Sequence, residues 1–255
     1  SQEVDLLVSG GGPGGYVAAA AAADHGIQTA LVEKAEVPGG VCLREGCIPS
    51  KALLHVAKII DEAAHAESFG VSFGRPDTDV TRLRDWKNGV IRKLSGGVKQ
   101  LLAGRKVDYI TGEAYFEDSK TARIEGGEVS RIKFKHCIIA SGSRAKLWRD
   151  AAYAPKASEI PKRLLVIGGG YIGLELGQVY AALGSEVTVL EALPAILAGA
   201  DTDLAKPLLS KLRKQMKDII TNASLEGAKR AGNGVAVTYE LDGSQKSAEL
   251  DKVRV

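Results

Sequence analysis

The sequence predicts an α/β chain that carries one strand–turn–helix–strand unit twice. Three observations predict it. The first copy opens with Leu6-Leu7-Val8-Ser9-Gly10-Gly11-Gly12, and the second with Leu165-Val166-Ile167-Gly168-Gly169-Gly170. Gly10, Gly12 and Gly15 align with Gly168, Gly170 and Gly173 without a gap. Each copy then reaches an acid at the tip of a second strand, Glu33 or Glu191, 23 residues after its first glycine.

A lone G-x-G-x-x-G is a weak signal. Here each copy follows an apolar strand, opens a helix and ends on a carboxylate, which is the full context of a dinucleotide-binding turn. The first glycine makes the turn, the second lets backbone approach a pyrophosphate, and the third lets the helix pack on the strand. The helix N-terminus offers unpaired N–H groups and the positive end of its dipole to the phosphates. The carboxylate accepts from ribose hydroxyls. Two Rossmann-like dinucleotide-binding domains follow, one over residues 1–146 and one over 161–255. Residues 147–160 form a connector, since the stretch from Arg144 to Ile160 lacks periodicity and holds Pro155.

Between the copies, Lys51 to Ala66 and Val80 to Leu102 have helical spacing of apolar residues. Val107 to Ile110, Ala114 to Phe116, Thr121 to Ile124 and Ile132 to Ile139 read as strands, the last running into Ala140-Ser141-Gly142-Ser143. After Glu191 a helix is expected from Asp203 to Met216, with Pro207 in or near its first turn. Strands then cover Val235 to Glu240 and Ala248 to Val255.

Composition agrees with this class: 255 residues, 45% hydrophobic, 25% charged, with 30 glycines for tight turns. A net charge of +3 is too weak to imply a nucleic acid or a membrane surface as partner. No apolar stretch reaches the roughly 18 residues of a membrane span. The Ala-rich run from Val17 to Ala23 lies inside a motif and is not a signal-peptide core. The cysteines are Cys42, Cys47 and Cys137, a low and odd number that argues against a secreted disulfide scaffold and for a cytoplasmic chain.

The most specific segment is Gly39-Gly40-Val41-Cys42-Leu43-Arg44-Glu45-Gly46-Cys47-Ile48-Pro49-Ser50-Lys51-Ala52-Leu53-Leu54. Residues five apart in a straight helix lie near 8 Å, beyond the roughly 4.4–6.8 Å between Cα atoms of a disulfide. A Cys42–Cys47 bridge therefore requires a broken turn, for which Gly46 and Pro49 are suited. Metal binding competes with this reading, with only His55 as a nearby extra ligand, and so does a pair of inert core thiols. Cys137 sits among Ile138 and Ile139 in an apolar strand, where a thiol behaves as a small hydrophobe.

This segment resembles the redox-disulfide signature of the pyridine nucleotide-disulfide oxidoreductases. Within that family Cys-Ile-Pro-Ser-Lys-Ala-Leu-Leu is most similar to the dihydrolipoamide dehydrogenases. Glutathione reductases usually carry two lysines where this chain has Ser50-Lys51, and mercuric reductases normally have Val for Ile48. The resemblance runs through essentially the whole chain.

It implies a Cys42–Cys47 redox disulfide, no metal, and FAD and NAD as cofactors. Electrons pass between flavin and disulfide, so the first turn, close to the cysteines, is expected to hold FAD, leaving the second for NAD. Implied FAD contacts are Gly10, Gly12, Pro13, Gly14, Gly15, Glu33, Lys34, Gly39, Gly40, Val41, Cys42, Cys47, Lys51, Ala114, Ser141, Gly142 and Ser143. Implied NAD contacts are Gly168, Gly169, Gly170, Tyr171, Ile172, Gly173, Glu175, Glu191 and Leu225. Cys47 would be the flavin-side thiolate and Cys42 the thiol that exchanges with substrate, with Lys51 against the flavin and Glu175 paired to it. Glu191 is followed by Ala192-Leu193-Pro194 with no cation, which favours NAD over NADP. The implied activity is reoxidation of dihydrolipoyl groups of 2-oxo acid dehydrogenase complexes, by a homodimer, with hydride passed to NAD. Mercuric reductase, another flavoprotein disulfide reductase, or a non-catalytic flavin-binding fragment are the alternatives.

Arg44-Glu45 departs from the family's usual Asn-Val. The stretch after Arg144 is shorter than usual, and the family continues beyond the position of Val255 into a dimer-interface domain with a catalytic His–Glu pair. None of His25, His55, His65 and His136 has that setting. The expectation is a chain lacking the interface domain and, alone, inactive toward lipoamide.

Overall fold

The computed structural model describes residues 1–143 and 159–254. Most of the connector expected at 147–160 lies outside the described residues. In chain order the elements are β1 (Gln2–Ser9), α1 (Pro13–Asp24), β2 (Thr29–Glu33), α2 (Gly40–Arg44), α3 (Cys47–His65), a 3-10 turn (Ala66–Phe69), α4 (Val80–Gly104), β3 (Asp108–Thr111), β4 (Glu113–Phe116), β5 (Thr121–Glu125) and β6 (Arg131–Ile139). There follow β7 (Arg163–Ile167), α5 (Tyr171–Ala182), β8 (Glu186–Leu190), α6 (Thr202–Gln215), β9 (Asp218–Ile220), β10 (Ala223–Ala231), β11 (Gly234–Leu241), β12 (Ser244–Leu250) and β13 (Lys252–Arg254). The chain divides into two compact units, Ser1–Pro49 with Trp86–Ala145, and Ser50–Asp85 with Lys146–Val255.

The first unit is built on a six-stranded sheet in the order β3-β2-β1-β6-β5-β4. β1 runs parallel to β2 and β6, and β2 parallel to β3, while β4, β5 and β6 form an antiparallel meander. Thr29 to Val32 are all buried, the mark of a parallel strand covered on both faces. On one face Leu6, Val8 and Leu31 pack with Ala19 and Ala20 of α1 and Leu102 of α4. On the other, Val4, Leu7, Val32, Ile110, Ile132 and Phe134 form a second core.

The second unit repeats the pattern with a four-stranded sheet, β13-β7-β8-β9, all of whose pairings are parallel. Leu164, Val166, Val187 and Val189 of the sheet pack with Leu174 of α5 and Leu212 of α6. A three-stranded antiparallel sheet, β10-β11-β12, buries Ala228 and Val237 against Leu165, Leu190 and Val253. Its second hairpin turns on Asp242-Gly243, both at positive φ, the type I′ preference of an Asp-Gly pair.

The structure departs from expectation locally. α3 starts at Cys47 rather than Lys51, with Pro49 in its first turn where a missing N–H costs nothing. Pro207, expected in or near the first turn of α6, lies in its second turn. β9 and β10 were not foreseen: Asp218–Ile220 is very short, and Ala223–Ala231 lacks alternating large apolar residues. β10 exists because its backbone pairs along β11.

Candidate functional site

In the first unit the Gly-rich turn joins β1 to α1. Gly10 has φ +105°, and a Cβ there would run into the backbone of Ala140. A Cβ on Gly15 would run into the Gly10 carbonyl oxygen, so the third glycine of the motif is what lets α1 approach the turn. Gly12 caps α1 with no side-chain bond, leaving the helix's first N–H groups to an incoming acceptor. Glu33 Oε2 accepts from Gly11 N–H at 2.7 Å and Oε1 from Ala35 N–H at 3.0 Å. Gly39, at φ +134°, donates its N–H to the Gly11 carbonyl at 2.8 Å, which lays Gly40 against Gly12. Ser141, Gly142 and Ser143 follow β6 beside Gly10 and are exposed; Ala114 is half-buried on β4. Pro13, Gly14, Lys34 and Val41 are exposed around the turn.

The second unit reproduces this geometry between β7 and α5. Gly168 has φ +100°, and a Cβ on Gly173 would strike the Gly168 carbonyl. Glu191 Oε2 accepts from Gly169 N–H at 2.6 Å and Oε1 from Leu193 N–H at 2.8 Å. Gly170 caps α5 without a side-chain bond and faces open space, with Tyr171 and Ile172 exposed beside it. Both turns thus present a free helix N-terminus beside a carboxylate, which fits the pyrophosphate and ribose of a dinucleotide. Leu225 stands on β10, partly buried against the core of the three-stranded sheet.

Cys42 and Cys47 are joined as a disulfide with Cα atoms 4.8 Å apart. The bridge closes because α2 ends at Arg44 and α3 begins at Cys47. Glu45, at φ −126°, and Gly46 break the helix between them. Gly46 is tight against the Val41 carbonyl, 3.2 Å from where a Cβ would stand. Arg44 pairs with Glu45 at 3.6 Å inside this loop. Cys137 is a free, half-buried thiol in β6, and burial pushes its pKa up, in keeping with an inert side chain. In the second unit, Lys51 on α3 donates to Glu175 on α5 at 2.6 Å.

Sequence reasoning missed Gly11, Gly39's N–H, Leu197 and Tyr109 as parts of these sites. Gly11 carried a signal: the middle position of both turns is glycine. Leu197 donates to the Gly169 carbonyl at 2.9 Å from φ +53°, and the Tyr109 hydroxyl donates to the Ala35 carbonyl at 2.7 Å; no local pattern announces either.

A family described as pyridine nucleotide-disulphide oxidoreductase matches residues 4–255. Dihydrolipoyl dehydrogenase from Geobacillus stearothermophilus is 43% identical over 99% of this chain, and that of Bacillus subtilis is 42% identical over 99%. The chain spans 56% of the length of each. The solved structure of a Cu(II) complex of the HOCl-induced flavoprotein disulfide reductase RclA from Escherichia coli superposes with a TM-score of 0.80. It shows 28% identity and is matched by 100% of this chain over 56% of its own. Proteins of this family use FAD and NAD. With two Gly-rich turns, their acids and a bridged cysteine pair, and with the family matching nearly all of it, the chain belongs to the pyridine nucleotide-disulphide oxidoreductase family.

Proposed function

We propose that this chain forms the FAD-, disulfide- and NAD-binding part of a dihydrolipoyl dehydrogenase, with residues 1–146 binding FAD and residues 161–255 binding NAD. The observation that carries it is the Cys42–Cys47 disulfide, closed across the break between α2 and α3, in the segment that follows the first strand–turn–helix–strand unit. The identity to dihydrolipoyl dehydrogenases over nearly all of the chain supports the substrate class.

In this reading one thiolate of a dihydrolipoyl group attacks Cys42 Sγ. A mixed disulfide forms, the Cys42–Cys47 bond breaks, and Cys47 leaves as a thiolate. The second substrate thiol, as thiolate, displaces Cys42 and closes the oxidised lipoyl ring. FAD, when bound, supplies the two-electron acceptor that relays this pair to NAD. Cys47 is the thiolate on the flavin side, and Lys51, held by Glu175, places a cation there. Gly10 to Gly15 and Gly168 to Gly173 hold the two pyrophosphates, and Ser141 to Ser143 and Ala114 line the flavin by backbone. Glu33 and Glu191 accept from ribose hydroxyls, while Tyr171, Ile172 and Leu225 flank NAD.

The donor groups are the lipoyl domains of 2-oxo acid dehydrogenase complexes, and the working protein is a cytoplasmic homodimer. Among the described residues no helix is long and apolar enough to cross a membrane. The test is to load the chain with FAD and add dihydrolipoamide at about pH 9, where the free dithiol is itself largely thiolate and needs no base from an interface domain, then quench with alkylating agent and map the labels by mass. New label on Cys42 and Cys47, with oxidised lipoamide formed in equal amount, is the expected result. An intact Cys42–Cys47 disulfide at substrate excess contradicts the reading.

A further inference from the structure

The two acids do more than face a ribose. Each carboxylate makes the same pair of bonds at the same offsets. Oε2 takes the N–H of the middle glycine 22 residues upstream, and Oε1 takes the N–H two residues downstream. The carbonyl of each middle glycine is also taken, by Gly39 in one unit and Leu197 in the other. Gly11 and Gly169 are buried, so without the carboxylate their N–H groups would have neither partner nor water, an arrangement proteins rarely tolerate. The packing is close as well. A Cβ on Gly11 would stand 2.9 Å from Cβ and Cγ of Glu33, and one on Gly169 would stand 3.1 Å from Glu191 Oε2.

We propose that Glu191, and Glu33 in the same way, is a positioning residue that sets its Gly-rich turn through both carboxylate oxygens. Nucleotide binding then depends on the acid for the shape of the turn as well as for the ribose. The nucleotide part rests on the reading above; the turn part does not.

Glutamine separates the two roles. Glu191→Gln keeps the shape, and its amide oxygen still accepts from a ribose hydroxyl. Its NH₂, however, must face either the Gly169 or the Leu193 N–H, donor against donor. An acid that served only the ribose would tolerate Gln far better than Ala. An acid that sets the turn loses both alike.

The experiment measures residue-resolved amide hydrogen exchange on the 255-residue chain without nucleotide, in wild type, E191Q and E33Q. Gly11 and Gly169 amides are protected in wild type. E191Q exposes Gly169 or Leu193, whichever N–H meets the NH₂, and leaves Gly11 and Ala35 protected, and E33Q does the reverse, so each turn reports folding for the other. NAD affinity by calorimetry falls about 10-fold or more in E191Q, matching E191A, because a buried donor is left unsatisfied. Gly169 and Leu193 both staying protected in E191Q overturns the proposal, as does E191Q binding NAD like wild type while E191A does not. If E191Q fails to fold, the wild type decides: a Gly169 amide exchanging as fast as an exposed loop amide overturns it. If NAD binds to neither form, the exchange result still stands, and it is the NAD assignment that has failed.

Discussion

Lys51 Nζ donates to Glu175 Oε1 at 2.6 Å, joining α3 to α5 across 124 residues of sequence. Lys51 is 59% exposed, so water screens the pair and its contribution to stability is at most about 1 kcal/mol. Lys51→Met and Glu175→Gln are therefore expected to melt close to wild type by calorimetry. In the proposed arrangement, with Lys51 against the flavin, Lys51→Met lowers the rate of flavin reduction by NADH in the FAD-loaded chain by about 100-fold, the size expected when a positioned donor is removed beside developing charge. A large loss of stability with unchanged flavin kinetics would reverse the assignment.

Two adjacent glycines separate fold from site. A Cβ on Gly14 would meet only Ala140 Cβ at 3.9 Å, an ordinary contact, whereas one on Gly15 is driven into the Gly10 carbonyl. Gly14→Ala should hold or raise stability by up to about 1 kcal/mol through helix propensity. Gly15→Ala should cost more than about 3 kcal/mol, beyond ordinary overpacking, since the obstacle is backbone. Urea titration of both variants checks this, and equal midpoints would refute the packing read at this turn.

Tyr109 gives a pH signature. Burial, and then the charge of Glu33, push its phenol well above the ordinary value of 10.0, while its hydroxyl donates to Ala35. An acid whose folded pKa is raised holds its proton in the folded state after the unfolded chain has released it. Its contribution is thus fully present below about pH 10 and is lost as pH rises from there. Wild type should lose stability between pH 10 and 11.5 more steeply than Tyr109→Phe, which has no proton to give up. Parallel pH dependence of the two melting curves would remove Tyr109 from the account.

In the proposed NAD site the carboxylate of Glu191 accepts from a ribose 2′-hydroxyl and would repel a 2′-phosphate. The next three residues, Ala192, Leu193 and Pro194, offer no cation. Hydrogen bonds to charged groups are worth about 1.5–3 kcal/mol, so NADH should bind at least about 10-fold more tightly than NADPH. Equal affinities in a direct binding titration would contradict this.

Legibility in the sequence followed the range of the interaction. The two Gly-rich turns were readable because each glycine answers a local demand, a positive φ at Gly10 and Gly168 or a helix pressed on a carbonyl at Gly15 and Gly173. The broken helix between Cys42 and Cys47 followed from the disulfide that the family resemblance implies, since no straight helix bridges that spacing. β10 was not, because Ala223–Ala231 has little apolar pattern of its own and is held by pairing to β11. Nor was the second task of Glu33 and Glu191. It depends on the buried N–H of Gly11 or Gly169, whose need for a partner appears only once the fold encloses it.

The central claim is that the first turn brings FAD to the Cys42–Cys47 pair with Cys47 on the flavin side. Thiolate–flavin absorption tests it most directly. The FAD-loaded Cys42→Ser variant leaves Cys47 as the thiol of the former pair, and a long-wavelength charge-transfer band should appear as pH is raised through the thiol range. Cys47→Ser, loaded equally with FAD, should show none. A band in Cys47→Ser and its absence in Cys42→Ser would contradict the account.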